Sequence, residues 1–143
     1  MIIGINKTNA GEVVKSYKAL KWLKNALNGD GAEVLDYLDK FEYDFLPLVE
    51  NSLPKSVRKI YLARQSQLIG KLPKIKEKAI NHPDKRKIHL GVKEIDKNAQ
   101  EFMTLAFEGF DSCDPRPIDL LISAEYYAIV ARTIYCETQE EME

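Results

Sequence analysis

The chain has 143 residues, the size of one ordinary domain with room for a hydrophobic core. Hydrophobic residues make up 45% and charged residues 30%, a composition typical of globular proteins and unlike that of disordered chains. The two cysteines are too few for a disulfide framework and lack metal-site spacing, and no secretory signal pattern opens the chain. We therefore expect a single domain over 1–143, located in the cytoplasm, without membrane anchor, cofactor or metal.

The formal net charge is only −1, but charge is distributed unevenly along the chain. Residues 1–51 have a net charge of −2, residues 52–97 carry 13 basic and 4 acidic side chains, and residues 98–143 have a net charge of −8. Such asymmetry is typical of a protein that contacts a charged partner. The basic third either meets an external anion, such as nucleic acid, or packs against the acidic third of the same chain.

Hydrophobic residues recur at helical spacing through the first third of the chain. They predict one helix from Thr8 or Asn9 to about Asn28 and a second helix from about Asp30 to Ser52. Pro47 interrupts the second pattern without shifting its phase, so we expect a kink or a restart there. The outer face of the second helix is acidic and is interpreted as a solvated surface, formed by Asp36, Asp39, Glu42 and Asp44.

The basic third is predicted to contain two helices and a loop. The third helix covers about 55–71, and after an interruption at Pro73 a short basic helix covers 74–81. A His-Pro pair ends the short helix, so Asp84–Gly91 is predicted to be the longest loop of the chain.

A regular stripe of apolar side chains predicts a fourth helix from Val92 or Lys93 to Phe110. The segments 2–5 and 88–92 are short and rich in β-branched residues, which favours strands. These segments are expected to pair as a minor two-stranded ribbon lying on the helices, because an isolated ribbon is only marginally stable.

The stretch over 117–137 carries apolar side chains in nearly every direction around a helix, as a central core helix does. It is long enough to cross a membrane, but Asp119, Glu125 and Arg132 oppose insertion. We therefore predict an all-α fold with a bundle-like arrangement of four long helices and one short helix, in which the C-terminal helix 117–137 is central. The acidic tail over 138–143 is expected to fray.

Three charged residues fall on predicted apolar faces, namely Arg64, Glu125 and Arg132. Burying any of them alone is costly, so each is expected to be paired or to face a cleft. One interpretation is a structural salt bridge between Arg64 and Glu125, with Arg132 reaching another acid or a carbonyl. The other is a polar pocket inside the bundle that binds an anion or a small ligand.

If the basic third binds nucleic acid, the loop residues Lys85, Arg86 and Lys87 are the first candidates. Their contacts would be with phosphates, which position a protein without reading sequence. Base stacking is not expected, because the basic segment lacks clustered aromatic residues and its Tyr61 is assigned to the core. The supporting candidates are Arg58, Lys59, Lys71 and Lys74.

The sequence contains no glycine-rich phosphate loop, no nucleophile elbow and no zinc-binding His-Glu motif.

Trp22 either anchors a protein partner or packs under the N-terminal segment or the acidic tail. We expect a small cytosolic interaction or regulatory protein that binds a macromolecular partner, and a homo-oligomer is compatible with that role. The alternatives are a nucleic-acid-binding module that uses segment 55–97 and a small helical enzyme, such as a nucleotide or metal-dependent hydrolase.

Overall fold

The computed structural model describes residues 2–3, 7–25, 33–82, 84, 86–108, 110–111 and 116–142. A π-helical segment, Lys40–Phe45, joins two short α-helices into one helical run over 33–52, so the described residues hold six helical runs. The predicted all-α, bundle-like fold is confirmed. The helices are α1 (Lys7–Asn25), α2 (Glu33–Asp39), α3 (Leu46–Ser52), α4 (Lys55–Gly70), α5 (Leu72–Asn81), α6 (Arg86–Glu108) and α7 (Arg116–Met142).

Pro47 accounts for the π-helical segment. Proline lacks an N–H group, and in an α-helix its ring collides with the carbonyl four residues earlier. The preceding turn is wider: the Leu46 N–H donates to the Phe41 carbonyl, five residues back. The expected kink or restart at Pro47 is thus a local change of helical pitch. Phe45, Leu46 and Val49 are all buried on either side of this change of pitch.

Helix α7 lies at the centre of the bundle, where it packs against α2, α4, α5 and α6. Leu121 and Ile134 are fully buried, as a central helix requires. The helix continues to Met142, beyond its predicted end and through most of the segment expected to fray. Within the described residues, no helix combines the length and the apolar character that crossing a bilayer requires.

Small residues bring α6 and α7 together over the most extensive helix contact of the described structure. A Cβ atom on Gly91 would lie 3.0 Å from the Ala131 Cβ and 3.3 Å from the Tyr127 carbonyl oxygen. Both distances are shorter than ordinary van der Waals contact, so a side chain here would require the neighbouring atoms of α7 to shift by a few tenths of an ångström. Gly91 is therefore a packing residue inside α6.

The predicted loop over 84–91 is wrong, because α6 begins at Arg86. Ile88, Val92 and Ile95 are buried at helical spacing and extend the apolar stripe of this helix toward its N-terminus. The Asp84 carboxylate supports this start by accepting a hydrogen bond from the Arg86 N–H at 3.0 Å.

The predicted ribbon between 2–5 and 88–92 is also wrong, since 88–92 lies within α6. Strand β1 (Ile2–Ile3) instead pairs with β2 (Phe110–Asp111), antiparallel and only two residues long. The other residues of the predicted first strand lie outside the described residues. The strand β2 takes the place of the expected end of the fourth helix at Phe110.

Candidate functional site

The structure does not bring the three charged residues of the apolar faces into one cluster. The predicted salt bridge between Arg64 and Glu125 does not form, because Arg64 Nη2 lies 2.9 Å from Asp119 Oδ1 instead. Both partners of this pair are partly exposed, so neither charge loses much hydration. A pair at Glu125 would have required the guanidinium to be buried as well, at a larger desolvation cost.

Arg132 reaches other acids, as the structural interpretation expected. Its Nη2 lies 2.9 Å from Asp39 Oδ1 and 3.2 Å from Glu42 Oε2, which ties α7 to α2 and to the π-helical segment. Part of the acidic face that was interpreted as solvated is therefore used inside the fold. Besides forming this ion pair, Glu42 lines a groove between α3 and α4.

Glu125 is a buried charge, with 8% of its surface exposed. Its Oε2 accepts a hydrogen bond from Tyr61 Oη at 2.9 Å, and its Oε1 accepts one from Gln65 Nε2 at 2.6 Å. Tyr61 and Gln65 lie one turn apart on α4, so both side chains reach the same carboxyl group. Among the described residues, Glu125 has no cationic partner.

Burial raises the pKa of Glu125 above its ordinary value of 4.5, because the carboxylate loses hydration. The hydrogen bonds from Gln65 and Tyr61 lower this pKa, whereas the negative charges of Glu50 and Glu42 raise it further. Burial also raises the pKa of Tyr61, and the charge of Glu125 adds to the effect, so the phenol remains the donor. A carboxyl group perturbed in this way within a cleft is a candidate functional group.

Glu125 lies on the inner wall of an open groove between α3 and α4, with a volume of about 320 Å³. We call it the acidic groove, because three glutamates line it, namely Glu42, Glu50 and Glu125. Gln65 is a further polar residue of its lining. Among the described residues, Glu50 also lacks a cationic partner. The remaining lining is apolar and includes Leu46, Leu68, Ile69, Leu72, Ala128 and Ile129.

Two arginines predicted to contact phosphate have partners within the chain. Arg58 closes the C-terminal end of α3: its Nε donates to the Glu50 carbonyl at 2.9 Å and its Nη2 to the Asn51 carbonyl at 2.8 Å. Arg86 pairs with Asp84 through two side-chain nitrogens, with Nη2 at 2.9 Å from Oδ2 and Nε at 3.1 Å from Oδ1. Lys85 lies outside the described residues.

The lysines predicted to contact phosphate are exposed, and one lines a second cavity. Lys59, Lys71 and Lys74 face solvent on α4, at its C-terminal end and on α5. Lys87 lies at the edge of a cavity of about 290 Å³ between α5, α6 and α7. We call this cavity the basic pocket; its lining includes Ile75, Lys78, Lys87, Tyr126, Tyr127 and Val130.

The tyrosines of the basic pocket were missed by the sequence analysis. Tyr126 and Tyr127 lie about 40 residues beyond Lys87, on the helix assigned to the core. The basic segment has no clustered aromatic residues in its own sequence, but the fold places two tyrosines of α7 beside its lysines. The one sequence feature that could have indicated this site is the tyrosine pair itself, because the other apolar residues of this helix are mostly aliphatic.

Trp22 has 70% of its surface exposed on α1. It therefore stays a candidate contact for a partner. Cys136 is an exposed free thiol, and Cys113 lies outside the described residues.

Another cavity, of about 760 Å³, opens between α6 and α7, but it is a wide surface depression. Its buried amide, Asn98, already donates to Ser123 Oγ at 3.1 Å.

Within the described part of the chain, no three His, Cys, Asp or Glu side chains are grouped to hold a metal ion. Comparisons of the chain with protein-family models, with curated proteins and with solved structures find no match.

Proposed function

We propose that the protein is a small cytosolic interaction or regulatory protein, and that its acidic groove receives a lysine or arginine side chain of a protein partner. The observation that carries this proposal is Glu125, a buried carboxyl group without a cationic partner among the described residues, in a groove whose lining is otherwise mostly apolar. Apolar walls with a few convergent polar groups are typical of binding sites.

Charge favours a cation as the occupant of the acidic groove. The negative charges of Glu42 and Glu50 both oppose ionisation of Glu125, and only Glu42 is neutralised by an ion pair. An ammonium or guanidinium group between Glu50 and Glu125 would offset the repulsion between the two carboxylates. It would thereby favour the ionised form of Glu125. Each carboxylate also retains lone pairs for a charge-assisted hydrogen bond.

The rim of the groove favours a macromolecular partner over a free small molecule. Tyr43, from the π-helical segment, is 69% exposed, and Ile69, from α4, is 58% exposed. Exposed aromatic and aliphatic side chains around a polar centre are typical of protein interfaces. π-Helical turns also occur frequently at functional sites, and this one supplies both Glu42 and Tyr43.

The chemistry of the groove can be tested with n-butylammonium, which reproduces the end of a lysine side chain, against n-butanol of the same shape. Chemical shifts of ¹⁵N amides should move around Gln65, Leu68 and Glu125 with the ammonium ion and much less with the alcohol. Equal shifts with the two probes would mean that the groove recognises apolar shape alone, and the proposal would be wrong.

The partner class can be tested with short peptides that carry lysine, arginine or norleucine between apolar residues. Glu50→Gln should weaken binding of the basic peptides about tenfold, since a hydrogen bond to a charged group contributes about 1.5–3 kcal/mol and 1.4 kcal/mol is tenfold. Glu33→Gln removes the same charge from an exposed site on α2 and should leave the affinity unchanged. Equal binding of norleucine peptides would contradict the proposal.

A further inference from the structure

The basic pocket joins two kinds of chemistry that lie far apart in the sequence. Lys78 comes from α5, Lys87 from the first turn of α6, and Tyr126 and Tyr127 from the middle of α7. Ile75 and Val130 form part of an apolar lining between them. A cavity of about 290 Å³ is near the lower end of the volumes of small-ligand sites, so it accommodates one flat ring system.

The fold fixes the aromatic side of this pocket. The two tyrosine rings meet edge to face, with centroids 5.5 Å apart and an interplanar angle of 77°. Tyr126 is 37% exposed, so part of its ring is open to a ligand. Gly91 allows α6 to lie close to α7 beside the Tyr127 carbonyl, and it lines the pocket together with Lys87 and both tyrosines.

The charged rim of the pocket is predominantly basic. Lys78 and Lys87 are exposed, and further exposed lysines lie between α4 and α5 at Lys71, on α5 at Lys74 and on α6 at Lys93. Asp84 lies near Lys87, but its carboxylate is already bound by the guanidinium of Arg86. Glu77, exposed on α5, and Glu94, partly exposed on α6, are among the other acids of these helices, and no acidic side chain among the described residues lines the pocket.

We propose that the basic pocket binds one nucleotide of a single-stranded nucleic acid, with the base on the ring of Tyr126 and flanking phosphates on Lys78 and Lys87. Aromatic stacking with adjacent cationic side chains is the arrangement by which proteins hold unpaired strands. A base enters a cavity between helices only when it is unstacked, which favours single strands over duplexes. This site lies apart from the acidic groove and does not depend on the function proposed for it.

The charge of the pocket alone would also attract an acidic protein segment. The exposed tyrosine beside the lysines distinguishes the two occupants, because a glutamate-rich segment offers carboxylates but no ring for Tyr126. A nucleic-acid strand fits the pocket better, because its base can stack on Tyr126 and its phosphates can contact the lysines.

The test uses the full chain and a labelled single strand of mixed sequence, followed by fluorescence anisotropy at low salt. An abasic strand of equal length has the same phosphates without bases, and it should bind at least about fivefold more weakly. A hairpin duplex should also bind more weakly than the single strand. Polyglutamate should compete poorly at equal charge.

Tyr126→Ala should weaken binding of the normal strand about tenfold and should barely change binding of the abasic strand. Lys78→Gln and Lys87→Gln should weaken both strands and reduce the dependence on salt by about one ion each. The matched controls are Tyr43→Ala, an exposed tyrosine of the acidic groove, and Lys15→Gln, an exposed lysine of α1. Thermal melts establish that each variant is folded.

The proposal is overturned if the normal and abasic strands bind equally, if polyglutamate competes as well as the strand, or if the duplex binds more tightly. It is equally overturned if Tyr126→Ala has no more effect than Tyr43→Ala. Absence of binding at about 100 μM protein would also overturn it, because even non-specific nucleic-acid contacts commonly reach that affinity.

Discussion

At the scale of single residues, Glu125 shows what periodicity can establish. Its place on an apolar helix face implied burial, and the structure buries it. The identity of its partners did not follow, because hydrogen bonds from Tyr61 and Gln65 depend on how α4 is rotated against α7. Arg64, on the same helix as those donors, turns instead to Asp119.

The raised pKa of Glu125 makes stability depend on pH in a defined window. The folded state holds this proton more tightly than the unfolded state, so the stabilisation is fully present below pH 4.5 and is lost as pH rises through the folded pKa. In Glu125→Gln this loss should disappear, and the variant should be at least as stable as the native chain at pH 7.

Denaturant unfolding at a series of pH values checks this prediction, and Glu33→Gln, an exposed acid on α2, is the control. The control should keep the pH dependence of the native chain. If Glu125→Gln instead loses several kcal/mol at pH 7, the ionised carboxylate is a structural requirement of the fold and the groove interpretation fails.

Arg58 is a second case in which a residue has a different role from the predicted one. Its guanidinium binds two carbonyls at the end of α3, so Arg58→Ala should lower the free energy of unfolding by about 1 kcal/mol. The neighbouring exposed residue offers a control: Lys59→Ala should change stability little. Thermal unfolding of the two variants compares them directly, and equal effects would contradict the capping role.

At the scale of elements, α6 is where sequence reasoning failed most clearly. The segment over 88–92 contains β-branched residues and a glycine, which favour a strand or a loop when considered locally. In the fold the same isoleucine and valine complete a buried helical stripe, and the glycine allows close approach to α7. Tertiary packing thus overrides local preference, as it commonly does for short segments.

Gly91→Ala tests this packing role. Overpacking in a close contact costs about 1–3 kcal/mol, and alanine regains about 0.5–1 kcal/mol of helix preference, so a net loss of about 1 kcal/mol is expected. Gly11→Ala, on α1, meets no atom within 4 Å and should instead stabilise the protein slightly. The free energies of unfolding of the two variants should therefore move in opposite directions, and a gain in both would contradict the packing role.

At the scale of the whole molecule, the sequence predicted the all-α architecture and the central position of α7. It could do so because both depend on burial patterns that repeat along each helix. Each of the two candidate sites combines residues from three or more helices. Which residues meet depends on how each helix is rotated about its axis in the bundle, and the spacing of apolar residues does not determine this. Of the acidic groove, the sequence predicted only that Glu125 would line a polar pocket, and it grouped Glu125 with Arg64 and Arg132 around an anion or a small ligand, whereas neither arginine lines the groove. Of the residues that line the basic pocket, the sequence singled out Lys87 and missed Lys78.

The central position of α7 predicts a gradient of hydrogen exchange across the molecule. Amides over 121–134 should exchange slowest, because opening them exposes the contacts with four other helices. Amides of α4 should exchange faster, since this helix leaves Ile60 and Ile69 about half exposed. Native-state exchange followed by mass spectrometry measures both, and equal protection would show that α7 is not the organising element.

The most direct test of the central claim is the ionisation of Glu125 itself, followed through its carboxyl ¹³C chemical shift as a function of pH. The account predicts a midpoint above the ordinary value of 4.5 in the free protein, and a lower midpoint when n-butylammonium occupies the acidic groove. A midpoint at or below 4.5 in the free protein, or one that n-butylammonium leaves unchanged, would contradict the claim that Glu125 awaits a cationic partner.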